Sequence, residues 1–298
     1  MGSSKPPNDL KLLQDASIDE GIMASLPVHS HIVETASQNY SEWSSTLRLD
    51  VKLEDNSQTQ FFLKVTSGEL GRSMAIEEFE SMMMLNTISP EFVVEPVAWG
   101  VCSSAADTYF FISEFHDIDD KSAPNLHIFC KDVSQMHTTS ANMYQEKSCR
   151  PLPEGKFGFH VTTYLGMFPK DNHRRQIRPT LVHGDLQIRN ARTDLKTNRP
   201  VLFDGGAFWG HNEYDIAKWV PVRYNMGASY LEEYHKHIPR SEPVEDYEDR
   251  MRLYTIHYNL VASAHYPVDD SLRQLSLADM RILTEKYRAG NDQGPGGM

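Results

Sequence analysis

The sequence predicts an α+β fold of two lobes, a small β-rich one followed by a larger, mostly helical one. Three observations predict it. Short runs of alternating apolar residues, broken by turn signals, crowd the first part of the chain. After a polar stretch, Glu114-Phe-His-Asp-Ile-Asp-Asp120, helical spacing takes over. Within that second part, a polar constellation sits on short apolar runs: Leu181-Val-His-Gly-Asp-Leu-Gln-Ile-Arg-Asn190, then Val201-Leu-Phe-Asp204.

The elements follow in order. Thr46 to Leu53 places Leu47, Leu49, Val51 and Leu53 on one face of a strand, because strand side chains alternate. Glu54-Asp-Asn-Ser57 is a turn, and Gln60 to Val65 is the return strand, carrying Lys64 between apolar neighbours. Ser73 to Leu85 has the spacing of a helix with Ser73 as N-cap. Val93–Trp99 and Tyr109–Phe115 are two more strands. The polar stretch that follows is read as the link between lobes, dividing the chain into an N-terminal lobe, 1–116, and a C-terminal lobe, 117–298. Helices are expected at Leu126–Thr138, Glu213–Val220, Tyr230–His237, Asp246–His265 and Leu277–Tyr287, the last behind a Ser276-x-x-Asp279 cap. Met1 to Leu12 reads as a loose arm and Ala289 to Met298 as a frayed tail.

Composition excludes several classes. With 298 residues, 40% of them hydrophobic, the chain can bury a large core. A formal net charge of -12 argues against an extended nucleic-acid surface. No apolar run approaches membrane-spanning length, and the N-terminal residues lack a signal-peptide core. Cys102, Cys130 and Cys149 form no Cys-x-x-Cys, which suits bystander thiols in a reducing compartment; the expected location is cytoplasmic, the expected state a monomer. The 13 histidines include no His-Glu-x-x-His pattern. Of the 13 methionines, the run Met82-Met-Met84 is read as core packing.

Phosphoryl transfer to a hydroxyl needs an Asp beside the acceptor proton, and an Asn and a second Asp on magnesium ions that bridge nucleotide phosphates. Asp185, Asn190 and Asp204 fit that pattern, the runs Thr180–His183 and Pro200–Phe203 presenting them from the ends of adjacent strands of a kinase-type fold. His183 is then a structural hydrogen-bonding residue of the loop. Lys64 would contact the phosphates and needs a helix carboxylate partner, since an unpaired buried charge is costly. Glu78 and Glu80 point about 200° apart on a helix, so only one can face it, and Glu78 is favoured. Read alone, Lys64 is equally an exposed strand lysine, and Asp204 a turn carboxylate before Gly205-Gly206. His173-Arg-Arg-Gln-Ile-Arg178 is a solvated loop or an attractor of anions.

The chain resembles the fructosamine-3-kinase (ketosamine-3-kinase) family, its fungal members in particular, and more distantly the aminoglycoside phosphotransferases. The matching landmarks are Phe61-Phe-Leu-Lys-Val65, Glu78-Phe-Glu-Ser-Met82, Pro96-Val-Ala-Trp-Gly100, Glu114-Phe-His-Asp117, Gly155-Lys-Phe-Gly-Phe-His-Val-Thr-Thr-Tyr164, Leu181-Val-His-Gly-Asp-Leu186, Phe203-Asp204 and His211-Asn-Glu-Tyr214. The resemblance implies a two-lobed protein-kinase-like fold and ATP-dependent phosphorylation of a sugar hydroxyl on ketosamines. It implies Asp185 as catalytic base, Asn190 and Asp204 on Mg2+, and Lys64 paired with Glu78. Glu114, Phe115 and His116 would be the hinge that reads adenine between the lobes, and Gly155–Tyr164 would lie on the acceptor side.

Three departures stand against that pattern. Gln187 and Arg189 replace a Trp and a Gly of the family's catalytic loop, and Arg at a glycine position restricts the backbone. Only Leu165 to Val182 separates Tyr164 from His183, where the family carries a long helical insertion, so the C-terminal lobe is shortened. Ala36 to Ser45, ahead of the first expected strand, has no glycine for close approach to phosphates. The expected partner is a small molecule or glycated amine. The alternatives are a kinase-fold protein that binds without transferring, and one recruited to another reaction in specialised metabolism.

Overall fold

The computed structural model describes residues 19–40, 44–146 and 178–291. The loose arm, Cys149, the Gly155–Tyr164 landmark and all but Arg178 of the basic run lie outside these. The described residues fall into two compact units, the first within Met1–Asn125 and Asn190–Ala207, the second within Leu126–Gly158, Leu165–Arg189 and Phe208–Met298.

In the first unit, the alternating runs pair as expected and form the centre of a five-stranded antiparallel sheet. Helix α1 (Glu20–Ala24) precedes strand β1 (His31–Tyr40). Strands β2 (Ser45–Lys52) and β3 (Gln58–Ser67) are the hairpin, with Leu47 opposite Leu63 and Thr46 opposite Lys64. Helix α2 (Gly68–Ile88) leads to β4 (Pro96–Val101) and β5 (Thr108–Glu114), and the sheet order is β1-β2-β3-β5-β4. One sheet face buries Leu47, Leu49, Val51, Leu63, Val65 and Ile112 with Ile22 and Leu26. Because β3 alternates, Lys64 points away from that core.

Several expectations change here. Helix α2 starts at Gly68 with Ser67 in the N-cap position, rather than Ser73, whose hydroxyl instead donates to the Glu69 carbonyl at 3.1 Å. Two glycines in its first turn, Gly68 and Gly71, hide the start, since glycine is a poor helix former. Gly71 is required by packing, as a Cβ there would lie 2.9 Å from the Thr66 carbonyl carbon. The glycine-free stretch after Ala36 is largely strand β1, an exposed edge strand whose side chains do not alternate between core and solvent. Met82 is core, but Met83 is 42% exposed.

The first unit also holds a three-stranded sheet, β6 (Ile118–Asp119), β8 (Ala191–Asp194) and β9 (Pro200–Leu202), in the order β6-β8-β9. Strand β7 (Thr180–Val182) pairs instead with β10 (Phe208–Gly210), in the second unit. The runs bearing Asp185 and Asp204 are therefore in different sheets, not on neighbouring strands. Each is too short for its pairing partner to be read from its own composition.

The second unit is helical apart from that pair: α3 (Leu126–Gln145), α4 (Asn212–Ala217), α5 (Ala228–His235), α6 (Tyr247–His265) and α7 (Ser271–Asn291). Helix α7 begins at Ser271, and its amide is capped by Asp269 at 2.9 Å. Ser276 lies inside the helix, and Asp279 pairs with Arg252 at 2.6 Å instead of closing a capping box. The helix continues to Asn291, past the expected start of the tail. Phe129, Trp209, Tyr214, Trp219, Tyr230 and Tyr234 form a buried aromatic core. Among the described residues no helix is long and apolar enough to cross a membrane.

His211, 5% exposed, is held by two hydroxyls, with Nδ1 2.8 Å from Tyr254 and Nε2 2.8 Å from Ser241. Burial pushes its pKa down to about 4 from 6.5. A base whose folded pKa is depressed binds its proton more weakly folded than unfolded, so its contribution is intact above pH 6.5 and fades toward pH 4. Unfolding free energy is expected to fall by about 2 kcal/mol from this group alone between about pH 7.5 and pH 5. Denaturant titrations of wild type and His211→Gln at both pH values check it, and an equal acid loss in the variant would refute it.

Candidate active site

The first unit brings three of the expected residues together. Strand β3 delivers Lys64, helix α2 delivers Glu78, and the residue after Phe203 delivers Asp204. Lys64 Nζ lies 2.8 Å from Glu78 Oε2 and 2.8 Å from Asp204 Oδ1. Burial opposes the ammonium, but the carboxylates of Asp204 and Glu78 outweigh it and push the Lys64 pKa up. The lysine is therefore a fixed cation at any neutral pH.

Asp204 has φ 58°, in the left-handed region that few side chains other than Asn and Asp tolerate. Such a conformation persists only where its surroundings enforce it. Here two neighbours do so. The Phe203 amide donates to the Asn190 carbonyl at 3.0 Å, and the Ala207 amide donates to the buried Ser81 hydroxyl of α2 at 2.9 Å. The first bond ties the Asn190 segment to the residue beside Asp204. Asp204 is half exposed, and Asn190 is buried. An amide oxygen and a half-exposed carboxylate are hard donors of the sort magnesium takes, one or two from protein and the rest from phosphate and water.

Glu114, Phe115 and His116 follow the end of β5. The Glu114 amide donates to the Glu95 carbonyl at 2.9 Å and the Phe115 amide to the Gln60 carbonyl at 3.3 Å. His116 Nδ1 is 2.6 Å from Asp194 Oδ2, and its Nε2 is 3.6 Å from Glu114 Oε2. The nearby carboxylates of Glu114, then Asp194, raise the His116 pKa against the opposing effect of burial.

In the second unit Asp185 sits after β7 on a tight loop. Gly184 has φ 85°, which glycine adopts without strain. His183 is fully buried, and its Nδ1 accepts from the Asp185 amide at 3.2 Å, the loop-building position expected of it. Asp215 of α4, also fully buried, accepts from the His183 amide at 2.7 Å and the Gly184 amide at 2.9 Å. The same carboxylate is 3.1 Å from His137 Nε2 of α3. The Trp219 indole donates to the Leu186 carbonyl at 3.1 Å. Of the two residues of the first departure, Gln187 donates its amide to Asp185 Oδ2 at 2.9 Å, where Lys218 pairs with Oδ1, and Arg189 is exposed.

Sequence reasoning missed Asp215 and Lys218. The available signal was charge in a helix otherwise apolar, Tyr214-Asp-Ile-Ala-Lys-Trp219, where each charge must have a buried partner.

Comparison with known proteins bears on the family and the fold. The fructosamine kinase family profile matches residues 30–176 and 163–270. A protein-ribulosamine 3-kinase of Arabidopsis thaliana is 36% identical over 107 residues, 33% of this chain and 32% of that protein. The chain thus matches about a third of the length of that curated relative. A candidate fructosamine-3-kinase of Haemophilus somnus superposes with TM-score 0.65 at 17% identity, over 89% of this chain and 96% of that one. The GDP complex of aminoglycoside 2'-phosphotransferase-IIIa superposes with TM-score 0.57 at 13% identity, over 92% of this chain and 98% of that one. The fold is the α+β, kinase-like fold of the aminoglycoside phosphotransferases, and the chain belongs to the fructosamine kinase family.

Proposed function

We propose that this chain transfers the terminal phosphoryl group of ATP to a sugar hydroxyl of a ketosamine or related small molecule in the cytoplasm. The observation that carries the reading is Lys64, a partly buried ammonium gripped by Glu78 and Asp204 from two other segments of the chain. Stability is a weak reason to assemble such a cluster, because apolar residues of similar volume often hold a fold as well. An anionic ligand gives a stronger one. In this reading Lys64 binds phosphate oxygens and Glu78 holds it in place. The backbone of Glu114, Phe115 and His116 receives adenine. Asn190 and Asp204 would hold Mg2+, which neutralises phosphate charge when bound. Asp185 orients the acceptor hydroxyl and takes its proton as the new P–O bond forms and the bond to ADP breaks. The family match and the nucleotide complex of a structural relative support it.

The test is incubation of purified protein with Mg-ATP and a panel of fructosamines, ribulosamines and aminosugars. Phosphate incorporation into one or more is the expected result, and Lys64→Met is expected to lower kcat/KM for ATP by about two orders of magnitude. No incorporation across the panel sinks the reading. One observation favours a second: the Gln187 amide already occupies Asp185 Oδ2. On that reading the chain binds nucleotide without transferring phosphate, and calorimetry would give Mg-ATP binding with no turnover.

A further inference from the structure

Beside α4 lies a buried lysine that the proposed chemistry does not use. Lys218 follows the last turn of α4, is 5% exposed, and directs its ammonium onto Asp185 Oδ1. The same ammonium lies 4.7 Å from the ring centre of Tyr258 and 5.2 Å from that of Tyr224. Two aromatic faces and one carboxylate therefore enclose it, and cation–π attraction adds to the ion pair in such an enclosure.

A lysine in this setting is costly without a purpose. Burial first, and then the Arg223 guanidinium, pull its pKa down from 10.5. Hydrogen bonds hold the scaffold around the pair. Asp215 holds the His183 and Gly184 amides, His183 accepts from the Asp185 amide, and the Tyr258 hydroxyl donates to the Gly184 carbonyl at 3.3 Å. On the remaining oxygen stands the Gln187 amide, on a partly exposed residue of the loop.

We propose that Lys218 is a positioning residue for phosphoryl transfer: it fixes Asp185 through Oδ1 and keeps it ionised, leaving Oδ2 to a displaceable Gln187 amide and then to the acceptor hydroxyl. The inference rests on the proposed role of Asp185. Its physical content is that an ammonium in contact lowers a carboxylate's pKa by about one to three units. Asp185, its side chain 22% exposed, then stays a hydrogen-bond acceptor toward the incoming hydroxyl. The other titratable and charged groups facing the pair are Asp215, His183, Arg223, Tyr224 and Tyr258, and all of them remain in the variants below.

The experiment compares wild type, Lys218→Met and Lys218→Arg in steady-state transfer across pH, with 13C-lysine NMR of the same proteins and of Asp185→Asn. Lys218→Met is expected to lower kcat by about 10- to 100-fold with the KM for ATP within twofold of wild type. Its acid limb is expected to move up by about one pH unit. Lys218→Arg is expected to return that limb to the wild-type position. A Lys218→Met enzyme with unchanged acid limb overturns the proposal, even if kcat, KM for ATP and thermal stability fall together, as they would for a purely structural lysine. The NMR arm separates this failure from failure of the transfer reading. The Lys218 Cε signal, assigned by its loss in Lys218→Arg, is expected to titrate at lower pH in Asp185→Asn than in wild type. That result in a protein with no transferase activity refutes the transfer reading and keeps the pair. Identical titration in both overturns the pair itself.

Discussion

Asp185→Asn is expected to reduce phosphoryl transfer by about 10²- to 10⁴-fold, the range a positioned general base supplies. The substitution keeps the shape of the side chain, so the Gln187 and His183 contacts can re-form with little movement. What changes is charge. An amide accepts the acceptor hydroxyl's hydrogen bond poorly and cannot take its proton, and Lys218 loses its counter-ion. Lys64, Glu78 and Asp204 are untouched, so Mg-ATP affinity by calorimetry is expected to stay within about threefold of wild type. Circular dichroism and a melting curve establish that the variant is folded. Undiminished transfer by a folded Asp185→Asn protein would remove Asp185 from the chemistry and point to a different reaction in the same fold.

Arg250→Leu is expected to destabilise the chain by about 3–5 kcal/mol, the largest effect on folding foreseen here. Arg250 on α6 grips Glu213 on α4 with two bonds, Nε to Oε2 at 2.6 Å and an NH2 to Oε1 at 3.0 Å. The guanidinium also donates to the carbonyls of Ser241 and Pro243, and the Ser241 amide donates to Glu213. Glu213 is fully buried, so removal of the arginine strands a charge with no access to water. Burial raises the Glu213 pKa, but the hydrogen bonds from Arg250 and the Ser241 amide and the Arg250 charge help reverse this and leave it below 4.5. A carboxylate with a depressed folded pKa contributes stability above its unfolded pKa and loses it as pH falls through the folded value. In Arg250→Leu the sign reverses, because an unpartnered buried carboxyl prefers its proton. The deficit against wild type should therefore narrow in urea titrations at about pH 4 compared with pH 7. A deficit below about 1 kcal/mol, or one independent of pH, would contradict this account.

Local pattern carried much of the first unit. The β2–β3 hairpin is legible because one of its faces is core and the other is not, and that asymmetry is written at every second residue. The same logic placed Lys64 on the face away from Leu63 and Val65. Strand β1 is not legible, since an exposed edge strand is held by backbone pairing and its side chains need follow no alternation. The start of α2 was lost to Gly71, which is dictated by the backbone of Thr66 rather than by helix propensity. In the candidate site, the loop from His183 to Asn190 stands out by residue type and spacing. Asp215 and Lys218 do not, because what gives each its meaning is a loop about 30 residues earlier in the chain. No window of neighbouring sequence contains both partners. The pairing of β7 with β10, and of β9 with β8, is hidden for a different reason: three- and four-residue strands hold too little pattern to name a partner.

The Asp215 carboxylate serves two loop amides and the imidazole of α3 at once. Selection acting on any one of the four groups therefore acts on all of them. Directed evolution for new acceptors should leave His137, His183 and Asp215 untouched while it samples Gln187 freely, so that the knot is inherited as a block and the loop's rim drifts.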